Sequence, residues 1–233
     1  MSDASQQESS DNFDVVIIGG GPGGYGAALY GASAGLRIVM VEKDKVGGTC
    51  LHRGCIPAKE LLETAHVRQT VLGADRFGIT TGEAPVDWSV TQTRKQTVID
   101  QLHKGLSGLI KKRKIETVSG TGRLEADRSV SVKLADGGTR TLRGDTVILA
   151  TGSVPRTIPG FEPDGTVVCT SDEFLELADL PRRAVVIGGG AIGCEFASTM
   201  ADMGAEVTIV EAVPKVLPSL HEDVANAVQR AVQ

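Results

Sequence analysis

Two cysteines, Cys50 and Cys55, are separated by four residues in a run rich in glycine and polar side chains. Pro57 follows them at a position typical of the first turn of a helix. A helix N-terminus lowers the pKa of a nearby thiol and favours the thiolate, which attacks disulfides, and a second thiol then resolves the mixed disulfide. The spacing therefore predicts a redox-active pair. The alternative, two buried and inert thiols, is disfavoured by the polar neighbours.

The other candidate metal ligands do not form a set. Cys169 and Cys194 lie far from the pair and lack the paired spacing of a zinc site, so we expect both in the core and no bound metal. His52, between the two cysteines, is expected to be a neighbour of the thiols and not a catalytic base. The remaining histidines indicate no role of their own: His66, His103 and His221.

A glycine-rich turn precedes the thiol pair. Residues 13–18 and 37–42 are β-branched runs that predict buried parallel strands, with a helix between them at about 23–34. Glu42 ends the second strand, where its carboxylate can accept hydrogen bonds from ribose hydroxyls. The turn after the first strand carries the three glycines of a dinucleotide-binding motif, Gly19, Gly21 and Gly24. Strand, turn, helix and acid together predict a dinucleotide site.

The same arrangement recurs in the second half of the chain. Strands are predicted at 184–187 and 206–211, with a helix between them that ends near 203. Glu211 follows the first glycine of the second turn by 23 residues, as Glu42 follows Gly19. A carboxylate there repels a 2′-phosphate and favours NAD over NADP. The turn itself contains Gly188, Gly190 and Gly193. Two such units predict two different dinucleotides.

The predicted fold is α/β, with two Rossmann-like βαβ dinucleotide-binding units. Between them, alternating runs over 115–142 predict an antiparallel β excursion, after which 146–150 return to a buried strand. The second unit lacks further strands, so we expect it, and any dimer domain, to be truncated. Two more helices are predicted, at about 57–71 and 88–114. The expected division is a disordered tail (1–12), a first nucleotide-binding domain (13–157) and the start of a second (158–233).

Composition excludes several function classes. The chain of 233 residues carries a net charge of -5 and 3% aromatic residues, which gives neither a basic field nor stacking platforms for nucleic acid. The uncharged run from 15 to 36 contains eight glycines and a proline and is expected to form strand, loop and helix rather than a membrane span. The first dozen residues lack the basic and apolar regions of a signal peptide. We therefore expect a cytoplasmic protein that binds neither nucleic acid nor membrane.

Residues 47–59 (GGTCLHRGCIPAK) resemble the redox-active segment of the flavin-dependent disulfide oxidoreductases, in particular that of the dihydrolipoamide dehydrogenases. The likeness covers residues 13–233. It implies that Cys50 is the interchange thiol and that Cys55 lies against a flavin. The residues that it implies for FAD are Gly19, Gly21, Pro22, Gly23, Gly24, Glu42, Lys43, Gly48, Thr49, Lys59, Gly122, Ala150, Thr151, Gly152 and Ser153. Those that it implies for NAD are Gly188, Gly190, Ala191, Ile192, Gly193, Glu195 and Glu211.

Glu195 adds a further expectation to this set. It follows Gly193 by two residues and so lies early in the predicted helix. A carboxylate there either interacts only with the helix N-terminus or pairs with a cation from elsewhere in the chain. Lys59, which the resemblance places beside the flavin ring, is the candidate partner. We expect the two to pair and to belong to the catalytic set with Cys50 and Cys55.

The resemblance implies oxidation of protein-bound dihydrolipoamide through a Cys50–Cys55 disulfide and FAD, with reduction of NAD to NADH. The implied partners are a lipoyl-bearing carrier domain of 2-oxoacid dehydrogenase or glycine cleavage complexes and, in the full-length form, a second copy. Family members also carry a Gly-Asp segment that completes the FAD site and a dimer domain with a His-Glu pair. Neither is found in this sequence, so we expect little lipoamide activity from the 233 residues alone.

Other assignments stay open at this stage. One is another disulfide reductase of the glutathione or mercuric reductase type. A glutathione reductase would carry basic residues where Glu211 stands, and the sequence before the first strand is too short for the extra metal-binding module of many mercuric reductases. The other is a non-enzymatic fragment that binds flavin or NAD, which the intact cysteine pair disfavours.

Overall fold

The computed structural model describes residues 12–231. Within this range the chain forms two compact units, one containing 12–54 and 98–154 and the other 55–97 and 155–231. The expected tail at 1–12 lies outside the described residues except for Asn12, which begins a strand. The boundary expected between nucleotide-binding domains at 157 stays a prediction.

The first unit is built on five strands that close into a ring. β1 pairs in parallel with β2 and β5, and β2 pairs in parallel with β3. β4 is antiparallel to both β3 and β5, so these two long strands belong to a parallel sheet at one end and an antiparallel sheet at the other. The strands are β1 (Asn12–Ile18), β2 (Ile38–Glu42), β3 (Glu116–Leu124), β4 (Val130–Leu134) and β5 (Thr139–Leu149).

β5 corrects one sequence expectation. The excursion ending at 142 and the buried strand starting at 146 are a single continuous strand of 11 residues, Thr139–Leu149. Gly144 lies in the interval between the two predicted segments. In the structure it lies opposite Phe13 of β1, and a Cβ at this position would come within 2.9 Å of a methyl carbon of Val16. The glycine is therefore needed for close packing, not for a turn.

Seven helices are present among residues 12–231: α1 (Pro22–Ser33), α2 (Gly48–Arg53), α3 (Cys55–Leu72), α4 (Trp88–Lys112), α5 (Ser171–Leu175), α6 (Ala191–Asp202) and α7 (Glu222–Ala231), with a 3-10 turn at Ala74–Phe77. The predicted helices at 57–71 and 88–114 are confirmed within two residues at each end. The short helices α2 and α5 were not predicted from the sequence.

The core of the first unit has two layers, which explains why β1 is apolar along its length. Val16 and Ile18 face a cluster formed with the antiparallel sheet, including Val132 and Leu142. The alternate residues Val15 and Ile17 face the other side of the sheet. There they pack with Ala28 of α1 and with Ile110 and Ile115. A strand buried on both faces requires a continuous apolar run.

The second unit contains two parallel strands, β6 (Arg183–Ile187) and β7 (Glu206–Val210). α6 connects them, and its Phe196 and Met200 pack with Leu61 and Ala65 of α3 in one apolar cluster. Trp88, at the start of α4, joins the same cluster and donates its indole N–H to the carbonyl of Leu177 at 2.7 Å. These contacts fix the end of α3 that follows the cysteine segment.

Candidate functional site

The first glycine turn is shaped by contacts that admit no side chain. Gly19 has a φ of 108°, and a Cβ there would lie 2.1 Å from the carbonyl oxygen of Ala150. A Cβ on Gly24 would lie 1.8 Å from the carbonyl oxygen of Gly19. α1 begins at Pro22 with Gly21 as its N-cap and no acidic residue in its first turn. The first-turn N–H groups of α1 therefore form a potential binding site for a phosphate.

Glu42 holds this turn in a way that the sequence did not indicate. Its Oε2 accepts a hydrogen bond from the N–H of Gly20 at 2.6 Å, and its Oε1 accepts one from Asp44 at 2.9 Å. The carboxylate is only partly buried, so it remains available to a ligand. Glu42 thus orders the glycine turn in addition to its predicted contact with a ribose.

The second glycine turn repeats these contacts in the other unit. A Cβ on Gly193 would lie 2.0 Å from the carbonyl oxygen of Gly188. Glu211 Oε2 accepts a hydrogen bond from the N–H of Gly189 at 2.7 Å. This hydrogen bond, followed by those from the N–H groups of Val213 and Ala212, lowers the pKa of the Glu211 carboxyl. The two turns are therefore equivalent in backbone geometry and in the placement of their acids.

The cysteine segment begins directly against the first glycine turn. The N–H of Gly47 donates to the carbonyl of Gly20 at 2.8 Å. A Cβ on Gly48 would lie 2.6 Å from the Cα of Gly21, so the two backbones are in contact. Cys50 lies two residues later in α2 and is half-buried. The structure therefore brings Cys50, Gly48 and Thr49 next to the predicted FAD turn.

Cys50 and Cys55 are joined by a disulfide. Cys55 is the first residue of α3 and is exposed, so the predicted place at a helix N-terminus is confirmed. Cys194 is buried, as expected, but Cys169 is only partly buried, in the loop before α5, so the expectation that it lies in the core is wrong.

Other predicted FAD residues lie near the same edge of the first unit. Ala150 donates its N–H to the carbonyl of Ile18 at 2.8 Å, which places the segment 151–153 beside the end of β1. Gly122 lies between Ile18 and Val41, where a Cβ would be 3.2 Å from a methyl carbon of each. Lys43 follows Glu42 and is exposed. Contact of these residues with FAD stays a prediction.

The predicted pairing of Lys59 with Glu195 is present within the second unit. The Lys59 ammonium lies 2.6 Å from Glu195 Oε1. Both side chains keep substantial exposure, at 57% for Lys59 and 40% for Glu195. The ion pair itself is confirmed, while its part in catalysis stays a prediction. Among residues 12–231, no group of three or more His, Cys, Asp or Glu side chains is arranged to hold a metal ion.

The fold and site define a class of protein. The profile of the pyridine nucleotide-disulphide oxidoreductase family matches residues 13–233, and the chain belongs to this family. Its members use FAD and NAD(H). The chain is 45% identical over 215 residues to the dihydrolipoyl dehydrogenase of Bacillus subtilis (strain 168), a match that covers 89% of this chain and 45% of the relative.

A second curated relative, the dihydrolipoyl dehydrogenase of Chlorobaculum parvum, is 42% identical over 227 residues. The match covers 97% of this chain and 48% of the relative. The chain thus spans about half the length of the curated relatives it matches. Among solved structures, LpdA from Mycobacterium tuberculosis matches with a TM-score of 0.84 at 26% identity, over 93% of this chain and 48% of that one.

The flavoprotein disulfide reductase RclA from Escherichia coli, solved as a Cu(II) complex, matches with a TM-score of 0.76 at 28% identity, over 95% of this chain and 47% of its own. These neighbours share the α/β architecture that was predicted. Over residues 12–231, no helix combines the length and the apolar character that crossing a membrane requires.

Proposed function

We propose that this chain contributes the redox disulfide and both dinucleotide turns of an enzyme that oxidises dihydrolipoamide and reduces NAD. The observation that carries the proposal is the contact of Gly48 with Gly21, which places the helix bearing Cys50 against the first glycine turn. A thiol pair in this position is adjacent to any dinucleotide bound there. The proposed setting is the cytoplasm, and the proposed substrate is the dithiol of a lipoyl-bearing carrier domain.

The residues present fit FAD at the first turn and NAD at the second. Both turns are closed by glycines whose missing side chains leave the backbone open to a pyrophosphate, and both carry an acid for ribose hydroxyls. When bound, FAD supplies a two-electron acceptor for the dithiol and NAD a hydride acceptor. Gly19, Gly21, Gly24 and Glu42 would hold FAD. Gly188, Gly190, Gly193 and Glu211 would hold NAD.

In the proposed thiol exchange Cys50 meets the substrate, as the resemblance implies. A substrate thiolate attacks Cys50 Sγ, the Cys50–Cys55 bond breaks, and Cys55 leaves as a thiolate. The second substrate thiol then attacks the mixed disulfide, which releases a cyclic substrate disulfide and returns Cys50 as a thiol. Because Cys55 is the first residue of α3, the helix N-terminus stabilises the leaving thiolate.

The direct test is anaerobic titration of the purified chain with dihydrolipoamide. The proposal predicts bound flavin, one lipoamide disulfide formed per Cys50–Cys55 pair reduced, and no such exchange in Cys50→Ser. Cys169→Ser, which removes a thiol outside the pair, is the matched control and should behave as the parent. A chain that binds no flavin, or whose disulfide dihydrolipoamide does not reduce, would contradict the proposal.

A further inference from the structure

The short helix α2 carries Cys50 and ends at Arg53, and Gly54 alone separates it from Cys55, the first residue of α3. The disulfide therefore spans the break between the two helices. Leu51, in the middle of α2, is buried. When the disulfide opens, the covalent constraint on this segment is lost, and the end of α2 depends on non-covalent contacts.

Arg53 contacts the loop after β2 from the end of α2. Its Nη1 donates a hydrogen bond to Asp44 Oδ2 at 2.8 Å. This hydrogen bond, opposed by burial and aided by the charge of Arg53, lowers the pKa of the Asp44 carboxyl. The contact is therefore an ion pair at neutral pH. Both side chains are partly exposed, and an isolated pair of this kind contributes little to stability.

The Arg53–Asp44 pair is not isolated, because the backbone of Asp44 continues the connection to the first glycine turn. The N–H of Asp44 donates to Glu42 Oε1 at 2.9 Å, and Glu42 Oε2 accepts from the N–H of Gly20 at 2.6 Å. The start of the segment reaches the same residue, since the N–H of Gly47 donates to the Gly20 carbonyl at 2.8 Å. Three consecutive hydrogen bonds thus link the end of α2 to the turn, and the ion pair belongs to a network.

We infer that Arg53 is a positioning residue that, through Asp44, keeps α2 against the first glycine turn while the disulfide is open. Because the disulfide opens only in a redox cycle, this role rests on the proposed function. In that cycle a substrate dithiol is oxidised to a disulfide, and the Cys50–Cys55 bond takes up its two electrons and two protons to give two thiols. In the oxidised chain the disulfide and the ion pair both restrain α2. In the reduced chain the ion pair acts without the disulfide.

The test measures hydrogen–deuterium exchange of the full chain by mass spectrometry, in the oxidised form and after a phosphine has reduced the disulfide to two thiols. The phosphine takes an oxygen atom from water and becomes the phosphine oxide, so no lipoyl substrate is needed. Arg53→Gln removes the charge that pairs with Asp44. In the reduced variant we expect the amides of 48–54 to exchange about fivefold faster than in the reduced parent. In the oxidised variant we expect less than about a twofold increase over the oxidised parent.

Two further variants separate the ion pair from other effects of the substitution. Asp44→Asn removes the other charge of the pair but keeps the N–H that donates to Glu42, and it should give the same result. The double variant should exchange no faster than either single variant, because each already breaks the same contact. Arg143→Gln is the matched control. It breaks an exposed Arg–Asp pair of the same unit, with Asp127 at 3.2 Å, and should leave 48–54 unchanged in both redox states.

Two results would overturn the role of Arg53 and leave the proposed function intact. One is an equal acceleration of exchange in the oxidised and reduced forms of Arg53→Gln, which would show only general support of α2. The other is exchange in the reduced variant that matches the reduced parent. The proposed function fails by a different result, in which the phosphine reduces the disulfide of the parent chain but dihydrolipoamide does not.

Discussion

The ammonium of Lys59 lies 2.6 Å from the Glu195 carboxylate, and so links α3 to α6 across 136 residues of sequence. Each residue lies close to a predicted functional element, since Lys59 follows Cys55 by one helical turn and Glu195 follows the second glycine turn. Exposed ion pairs contribute little to stability, typically less than about 1 kcal/mol. We therefore expect the pair to contribute little to the stability of the fold, and its part in the chemistry of the site stays a prediction.

This gives the first prediction. Glu195→Gln should change the free energy of unfolding by less than about 1 kcal/mol, yet slow the reduction of bound flavin by NADH several-fold. The measurement combines denaturant unfolding with stopped-flow absorbance. Lys215–Glu222, an exposed pair at 2.8 Å, offers the control Glu222→Gln, which should change neither quantity. A large loss of stability with an unchanged flavin rate would show that the Lys59–Glu195 pair is structural.

The second prediction compares two glycines of α1. Gly24→Ala forces a Cβ to within 1.8 Å of the Gly19 carbonyl oxygen, so we expect a loss of about 3 kcal/mol or more in unfolding free energy and loss of FAD. Gly26 lies two residues further along, with no atom within 4 Å of the added carbon. Gly26→Ala should stabilise the chain by up to about 1 kcal/mol. Thermal unfolding of the two variants measures both changes in stability. Equal changes in Gly24→Ala and Gly26→Ala would contradict the account of the turn.

The third prediction concerns the dual role of Glu42. Glu42→Ala removes the acceptor of the Gly20 and Asp44 N–H groups and should cost about 2 kcal/mol of stability, with FAD affinity falling roughly tenfold or more. Asp145→Asn, at the opposite end of the parallel sheet, should leave FAD affinity unaltered. Fluorescence titration with FAD provides the measurement. An unchanged affinity in Glu42→Ala would remove this residue from the site.

The positions of Gly24 and Glu42 were predictable because their roles repeat in every βαβ dinucleotide unit, where sequence spacing determines backbone geometry. The hydrogen bond from Gly20 to Glu42 was not predictable, since the spacing of residues along the sequence does not show which atom a carboxylate contacts. α2 was not predicted because two consecutive glycines, Gly47 and Gly48, come directly after the loop that follows β2, and glycine has a low helix propensity. In the structure Gly47 takes a φ of 115° and ends that loop, so a helix begins immediately.

The continuity of β5 was hidden for a related reason. The residues up to 142 and those from 146 were predicted as separate segments, and the approach of Val16 from β1 explains why residue 144 has no side chain. The ion pair of Lys59 with Glu195 could be predicted because both residues were already assigned to functional segments. The contact of the His52 and His103 rings could not be predicted, since no pattern in the sequence links residue 103 to the cysteine segment.

The fourth prediction is a pH dependence. Because the folded pKa of Glu211 is lowered by the Gly189 N–H, its ionised form stabilises the second unit at pH values above its ordinary pKa. That contribution disappears as the pH falls through the lowered value. The melting temperature of Glu211→Gln should therefore fall less between about pH 5 and pH 3 than that of the parent chain. The control, Glu206→Gln at the opposite end of β7, should follow the parent curve, and a Glu211→Gln curve as steep as the parent's would refute the assignment.

The central claim is that the Cys50–Cys55 disulfide passes electrons to a flavin held by the first glycine turn. Its most direct test is the absorption spectrum of the flavin-loaded chain and of two variants under anaerobic conditions. We expect a long-wavelength thiolate–flavin band in Cys50→Ser without any reductant, and in the parent after one equivalent of dithiol. Cys55→Ser should never show it. A band that persists in Cys55→Ser, or that is missing from a flavin-loaded parent whose disulfide has been reduced, would contradict the account.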